Sequence, residues 1–211
     1  MHRVPLFLAP GLGGTVISLL GVVSTIGAAR RCVALTARGV DDGCEPLSRV
    51  EAMAAVHVDQ AIAACPEGPY RILGWSFGAL VAYEIGVQLR REGREAAVIL
   101  VDPLALVAAA DPAPADDPTA TVELRRILAA HRLARSRYRP GPFAGPTVLL
   151  RAATASPEAD ALPALGWDRV VGRSLSVQRV AGDHGSMLKP PHATGLGATI
   201  IAFLDRLGDP A

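Results

Sequence analysis

Gly74-Trp75-Ser76-Phe77-Gly78 sets a serine between two glycines, with an apolar run before it and a helical run after it. A serine hydroxyl so placed can attack a carbonyl carbon once a base takes its proton. A sharp strand-to-helix turn would force the serine into strained backbone angles and leave room only for tiny residues at the −2 and +2 positions. The helix that follows would present its N-terminus, and the Phe77 N–H, to an oxyanion. An ordinary strand–helix turn satisfies the same five residues, so the pattern gains meaning from its partners.

The base must be one of five histidines: His2, His57, His131, His184 or His192. His2 is terminal, His57 lies in a helical stretch before the serine, and His131 lies in a later one; these three read as surface or packing residues. His184 stands in Gly182-Asp183-His184-Gly185-Ser186, directly after the last strand-like run. A loop at the carboxyl end of a strand is where α/β sheets place their active sites. His192, after two prolines, is the weaker alternative.

An imidazole base needs an acid to orient it. Asp102 follows Val98-Ile99-Leu100-Val101 and so ends a buried strand, a costly place for an unpaired carboxylate. Asp183 is adjacent to His184, and neighbouring side chains rarely align for such a contact. Glu158 and Asp160, after the next strand, compete with Asp102, and a helix-capping role for Asp102 is also open. We favour Asp102. The loop Ala9-Pro10-Gly11-Leu12-Gly13-Gly14 follows the first strand-like run and offers a second oxyanion N–H, from Leu12 first and Gly11 next. It is not a phosphate loop, since it lacks G-K-[ST] and does not fit G-x-G-x-x-G.

The elements that must hold these residues alternate. Strand-like runs span 4–9, 31–36, 70–73, 96–101, 147–151 and 175–180. Helical runs span about 15–26, 48–65, 79–91, 121–137 and 195–207, with Ser48 and Glu51 spaced as a capping box for the second. Such alternation predicts an α/β fold with a mostly parallel sheet covered on both faces. Residues 104–146 break the rhythm with a Pro/Asp/Ala stretch (Asp111 to Pro118) and one amphipathic helix, and read as a short helical lid insertion over the site. The whole chain, 1–211, reads as one domain.

Composition narrows the class. Half of the residues are hydrophobic, 19% are charged and the formal net charge is +1, which disfavours disorder and a nucleic-acid partner. Cys32, Cys44 and Cys65 are odd in number and form no C-x-x-C pair, so they read as free thiols in a reducing, cytoplasmic setting. An apolar run up to Ala29 is broken early by Pro5, Pro10 and Gly11, against a signal peptide. No apolar segment is long enough to span a bilayer, and no membrane partner is expected.

Gly68-Pro69-Tyr70-Arg71-Ile72-Leu73-Gly74-Trp75-Ser76-Phe77-Gly78 and the following Ala82-Tyr83-Glu84-Ile85 resemble the thioesterase domains of nonribosomal peptide synthetases and polyketide synthases, members of the α/β-hydrolase superfamily. So do Leu35 to Gly39, Val101-Asp102-Pro103, Tyr138-Arg139-Pro140, Gly166-Trp167 and Gly182 to Leu188. The resemblance covers nearly the whole chain. It implies the α/β-hydrolase fold and a Ser76–His184–Asp102 triad, with the acid after the strand that follows the serine, as at Asp102 rather than Glu158. It implies an oxyanion hole of the Phe77 and Leu12 N–H groups and no bound cofactor or metal. It further implies transfer of an acyl or peptidyl chain from the phosphopantetheine thioester of a carrier-protein partner, possibly in the same synthase, to Ser76, then release by water or by ring closure. A stand-alone editing thioesterase, an esterase or lipase on free esters, and a non-catalytic hydrolase-like module are the competing readings.

Two departures stand out. Family members often carry His-Pro at the first glycine loop, where this chain has Ala9-Pro10 and an extra residue before the glycine pair. The interval from Asp102 to His184 is also short, and the deficit falls in the lid. Leu104, Leu106, Val107, Leu124, Ile127, Leu128 and Leu133 are candidates to line an acyl channel, with packing of the helix on the core as the plainer role. Arg125, Arg126, Arg132, Arg135 and Arg137 offer a face to an acidic carrier protein, or a solvated surface.

Overall fold

Strands rich in valine, isoleucine and leucine form the centre of the computed structural model, which describes residues 3–27, 29–40, 42–106, 119–154 and 161–209. The strands are β1 (Leu6–Leu8), β2 (Cys32–Ala34), β3 (Tyr70–Trp75), β4 (Ala96–Val101), β5 (Thr147–Ala152) and β6 (Leu175–Val180). All pair in parallel, in the order β2-β1-β3-β4-β5-β6. β3 and β4 are nearly continuous apolar runs because parallel strands in the middle of a sheet are covered on both sides.

Alternate residues of each strand enter different cores. Phe7, Ile72, Val98 and Leu100 join a layer with α2 (Val50–Ala64) and α3 (Phe77–Arg91). Leu6, Leu8, Leu73, Ile99 and Val101 join a second layer on the opposite face with α1 (Leu20–Ile26) and the closing helix. Between β4 and β5 the chain forms α4 (Val122–Arg137), and between β5 and β6 a single turn, α5 (Asp168–Val171). The closing helix is α6 (His192–Leu207). The architecture is an α/β-hydrolase fold: one parallel sheet with helices on both faces.

Several expected boundaries move. β3 runs on to Trp75 and α3 begins at Phe77, so the turn between them is Ser76 alone. α2 is capped by Arg49, in extended backbone and with no side-chain cap bond, which puts Ser48 outside the helix and breaks the expected Ser48–Glu51 box. Glu51 instead sits in the first turn, favourable to the helix dipole, 3.5 Å from Arg49. α4 is capped by Thr121, whose Oγ1 accepts from the Leu124 N–H at 3.2 Å. α6 starts at His192 rather than near Gly195. Gly197 sits inside it because a Cβ there would lie 2.6 Å from Thr25 Cγ2 of α1. Val107, Glu158, Asp160, His2 and the stretch from Asp111 to Pro118 lie outside the described residues.

Candidate active site

Ser76 has φ +56° and ψ −121°, a conformation that side chains rarely adopt. Two close approaches maintain it. A Cβ on Gly74 would sit 2.0 Å from Gly78 O, and one on Gly78 would sit 2.8 Å from Pro10 O. The two glycines therefore let the chain double back and let α3 press against the loop after β1. The Ser76 N–H donates to Val101 O at 3.0 Å, which ties the turn to the end of β4.

Asp102 leaves that strand end with φ +40°. Its N–H donates to Leu150 O at 2.7 Å, and its Oδ1 accepts from the Ala152 N–H at 3.0 Å. The carboxylate is thus fixed by the neighbouring strand, and its Oδ2 lies 2.6 Å from His184 Nδ1. On the other side of the ring, His184 Nε2 lies 3.1 Å from Ser76 Oγ. A carboxylate only accepts, so Nδ1 carries a proton and the neutral ring has Nε2 free to take one from the serine. Residues from three strand ends thus meet in one hydrogen-bonded line.

The loop carrying His184 is shaped by Asp183, whose Oδ1 accepts from the N–H groups of Gly185 at 2.9 Å and Ser186 at 2.8 Å. These bonds, Ser186 first, hold its carboxyl below the usual range. Asp183 is therefore occupied with its own turn, and Asp102 is the acid that touches the imidazole. Trp75 completes the surroundings of His184. The two rings stack with centroids 4.7 Å apart, and the indole N–H donates to His184 O at 3.1 Å.

In the glycine loop, the Gly11 N–H is spent on Thr15 O and the Gly14 N–H on Gly11 O, both at 2.9 Å. Leu12 and its peptide lie between these ties. Phe77 is the first residue of α3, where a backbone N–H has no partner within its helix. His131 reaches this corner from α4: it is 2% exposed, with Nδ1 2.7 Å from Leu12 O and its ring stacked on Phe77 at 5.0 Å. Its sequence context, an arginine-rich helix, gave no sign of this contact beyond its helical spacing from Leu124 and Ile127.

His57 is also buried, with Nδ1 3.1 Å from Gln60 Oε1, and His192 is the first residue of α6. A small pocket beside the glycine loop is lined by Pro10, Arg38, His57, Phe77 and His131 among others, and not by Ser76 or His184. Of the proposed channel residues, Ile127 is 3% exposed, Leu104 and Leu106 pack on the core, and Leu133 is exposed. Arg126 pairs with Glu45 rather than facing solvent alone. Among the described residues, no group of three or more His, Cys, Asp or Glu side chains is placed to hold a metal, and no helix is long and apolar enough to cross a membrane.

The model of the thioesterase domain family matches residues 4–132, which include Ser76 and Asp102. The chain belongs to the thioesterase domain family. Its relatives are nonribosomal peptide synthetases. This thioesterase domain is 33% identical over 108 residues, 51% of its length, to indigoidine synthase of Streptomyces lavendulae. It is 32% identical over 99 residues, 47% of its length, to a dimodular nonribosomal peptide synthase of Bacillus subtilis. The chain spans 8% and 4% of those two proteins. Among solved structures it is similar to the NocB thioesterase domain in covalent complex with a fluorophosphonate nocardicin G analogue. That likeness has a TM-score of 0.81 at 28% identity and covers 97% of this chain and 95% of the other. It therefore extends past residue 132 to the segment that carries His184.

Proposed function

We propose that this thioesterase domain takes an acyl or peptidyl chain from the phosphopantetheine thioester of a carrier protein onto Ser76 and then releases it. The observation that carries the reading is the line from Asp102 Oδ2 to His184 Nδ1, at 2.6 Å, and from His184 Nε2 to Ser76 Oγ, at 3.1 Å. Membership of the thioesterase family and the synthetase relatives support a carrier-bound thioester as the substrate class.

In this mechanism His184 Nε2 removes the Ser76 proton as Oγ attacks the thioester carbonyl carbon. The N–H groups of Phe77 and Leu12 hold the oxyanion that forms. Asp102 keeps the ring in its Nδ1–H tautomer and stabilises the imidazolium. The tetrahedral intermediate collapses, the C–S bond breaks, and the pantetheine sulfur leaves with the proton from Nε2. Water, or a hydroxyl or amine of the bound chain, then attacks the acyl-serine with His184 again as base. The product is a free acid or a ring, and Ser76 regains its proton. The reaction needs no bound metal or cofactor.

Two measurements test it. A fluorophosphonate probe labels the wild type and not Ser76→Ala. Mass spectrometry of the product from an acylated carrier protein, or from a pantetheine-like thioester, detects the released acid or macrocycle. Labelling that persists in Ser76→Ala overturns the nucleophile, and faster turnover of simple esters than of carrier-bound thioesters overturns the substrate class.

A further inference from the structure

We propose that His131 is a positioning residue, through which helix α4 sets the geometry of both oxyanion donors. This rests on the reading of the Leu12 and Phe77 N–H groups given under the proposed function.

Three of the five residues in Pro10-Gly11-Leu12-Gly13-Gly14 are glycines, the residue with the widest backbone freedom. Such a loop aims an N–H only where something ties it. The peptide that contains the Leu12 N–H is tied at its carbonyl, Gly11 O, by the Gly14 N–H at 2.9 Å. The next peptide is tied at Leu12 O by His131 Nδ1 at 2.7 Å. Leu12 is thus held on both flanking peptides, once from within the loop and once from a helix 119 residues further along the chain. A carbonyl oxygen only accepts, so His131 carries its proton on Nδ1.

The same imidazole lies flat against Phe77, with centroids 5.0 Å apart and the planes 15° from parallel. One side chain therefore touches both residues that supply oxyanion donors. The helix face that presents it is seated on the rest of the loop: Leu124, Ile127 and His131 recur at helical spacing. A Cβ on Gly13 would lie 3.7 Å from Leu124 Cδ1, and one on Gly14 3.5 Å from Ile127 Cγ2. Burial lowers the His131 pKa to about 4, so the ring is neutral at working pH and places no charge beside the forming oxyanion. Seating α4 and aiming the oxyanion hole are then one event.

The test compares wild type, H131F, H131N and S76A on a pantetheine-like thioester and on an aryl trifluoromethyl ketone, whose serine adduct carries an oxyanion. H131F keeps an aromatic ring on Phe77 and loses the donor; H131N restores an N–H near the Nδ1 position. In folded H131F, kcat falls roughly 10- to 100-fold with KM within about threefold, and ketone affinity falls by the same factor as kcat. H131N recovers to within about fivefold of wild type. Unchanged kcat in folded H131F, or a loss that H131N does not restore, overturns the proposal. If H131F does not fold, nitrogen NMR of the wild type decides: His131 must be the Nδ1–H tautomer, and an Nε2–H ring overturns it. Failure of the underlying reading looks different, since S76A would then keep activity whatever stands at position 131.

Discussion

Trp75 lies against His184 with ring centroids 4.7 Å apart and planes 28° from parallel, while its indole N–H donates to the carbonyl oxygen of the same residue. The residue just before the serine therefore grips the histidine at its ring and at its backbone. W75F keeps a ring face and loses a hydrogen bond of about 1 kcal/mol, so kcat/KM falls roughly fivefold. W75L also loses the face that favours an imidazolium, for a combined loss of roughly thirtyfold. Steady-state kinetics with a pantetheine-like thioester measure both, and equal activity in all three proteins would remove Trp75 from the support of His184.

Asp102 is fixed by β5 and meets His184 at 2.6 Å. D102N leaves the shape and supplies the wrong hydrogen-bond polarity, so kcat drops by about 10³- to 10⁴-fold. Substituting Glu158 or Asp160 by alanine leaves kcat within about twofold. A large loss at Glu158 with a mild one at Asp102 would reverse the assignment.

Gly78 lets α3 approach the loop after β1, since a Cβ there would stand 2.8 Å from Pro10 O and 3.1 Å from Ala9 O. Backbone on both sides gives way poorly. G78A is destabilised by about 2 kcal/mol and loses activity through the shifted loop. Urea unfolding gives the first quantity and kcat the second; a variant as stable as wild type would show that the loop yields freely.

Burial lowers the His131 pKa from 6.5 to about 4, and burial lowers His57 as well. In the unfolded chain such rings titrate near 6.5. Between the two values the unfolded chain binds a proton that the folded chain does not, so stability is complete above about 6.5 and falls as the pH drops toward 4. His131 alone accounts for a loss on the order of 3 kcal/mol by pH 4. Urea unfolding at pH 7, 5.5 and 4.5 measures the slope, which H131F flattens.

The hydrogen-bonded line of Ser76, His184 and Asp102 was legible because each residue has a local signature. Gly74 and Gly78 flank Ser76, Asp102 ends a β-branched run, and His184 follows the last strand. The parallel sheet was legible from the alternation of apolar runs. What escaped depends on residues far apart in the chain. His131 stands among arginines, and only the arrival of Leu12 makes it a buried donor. The cap of α2 fell to Arg49 because the entering chain stays extended through that residue, and a spacing rule does not see this. The closing helix was expected from Gly195 and begins at His192, and the proximity of Thr25 makes a small residue necessary at Gly197 inside it.

Ser76 is held at φ +56° and ψ −121°, where glycine moves freely and a side chain costs about 1–3 kcal/mol. The proposed nucleophile thus sits where its own backbone would favour glycine. S76G should outlast the wild type in urea, while S76A, equally inactive but still bearing a Cβ, should not. The gap between those two inert proteins measures what natural selection has withheld from thermal durability to keep a hydroxyl in this position.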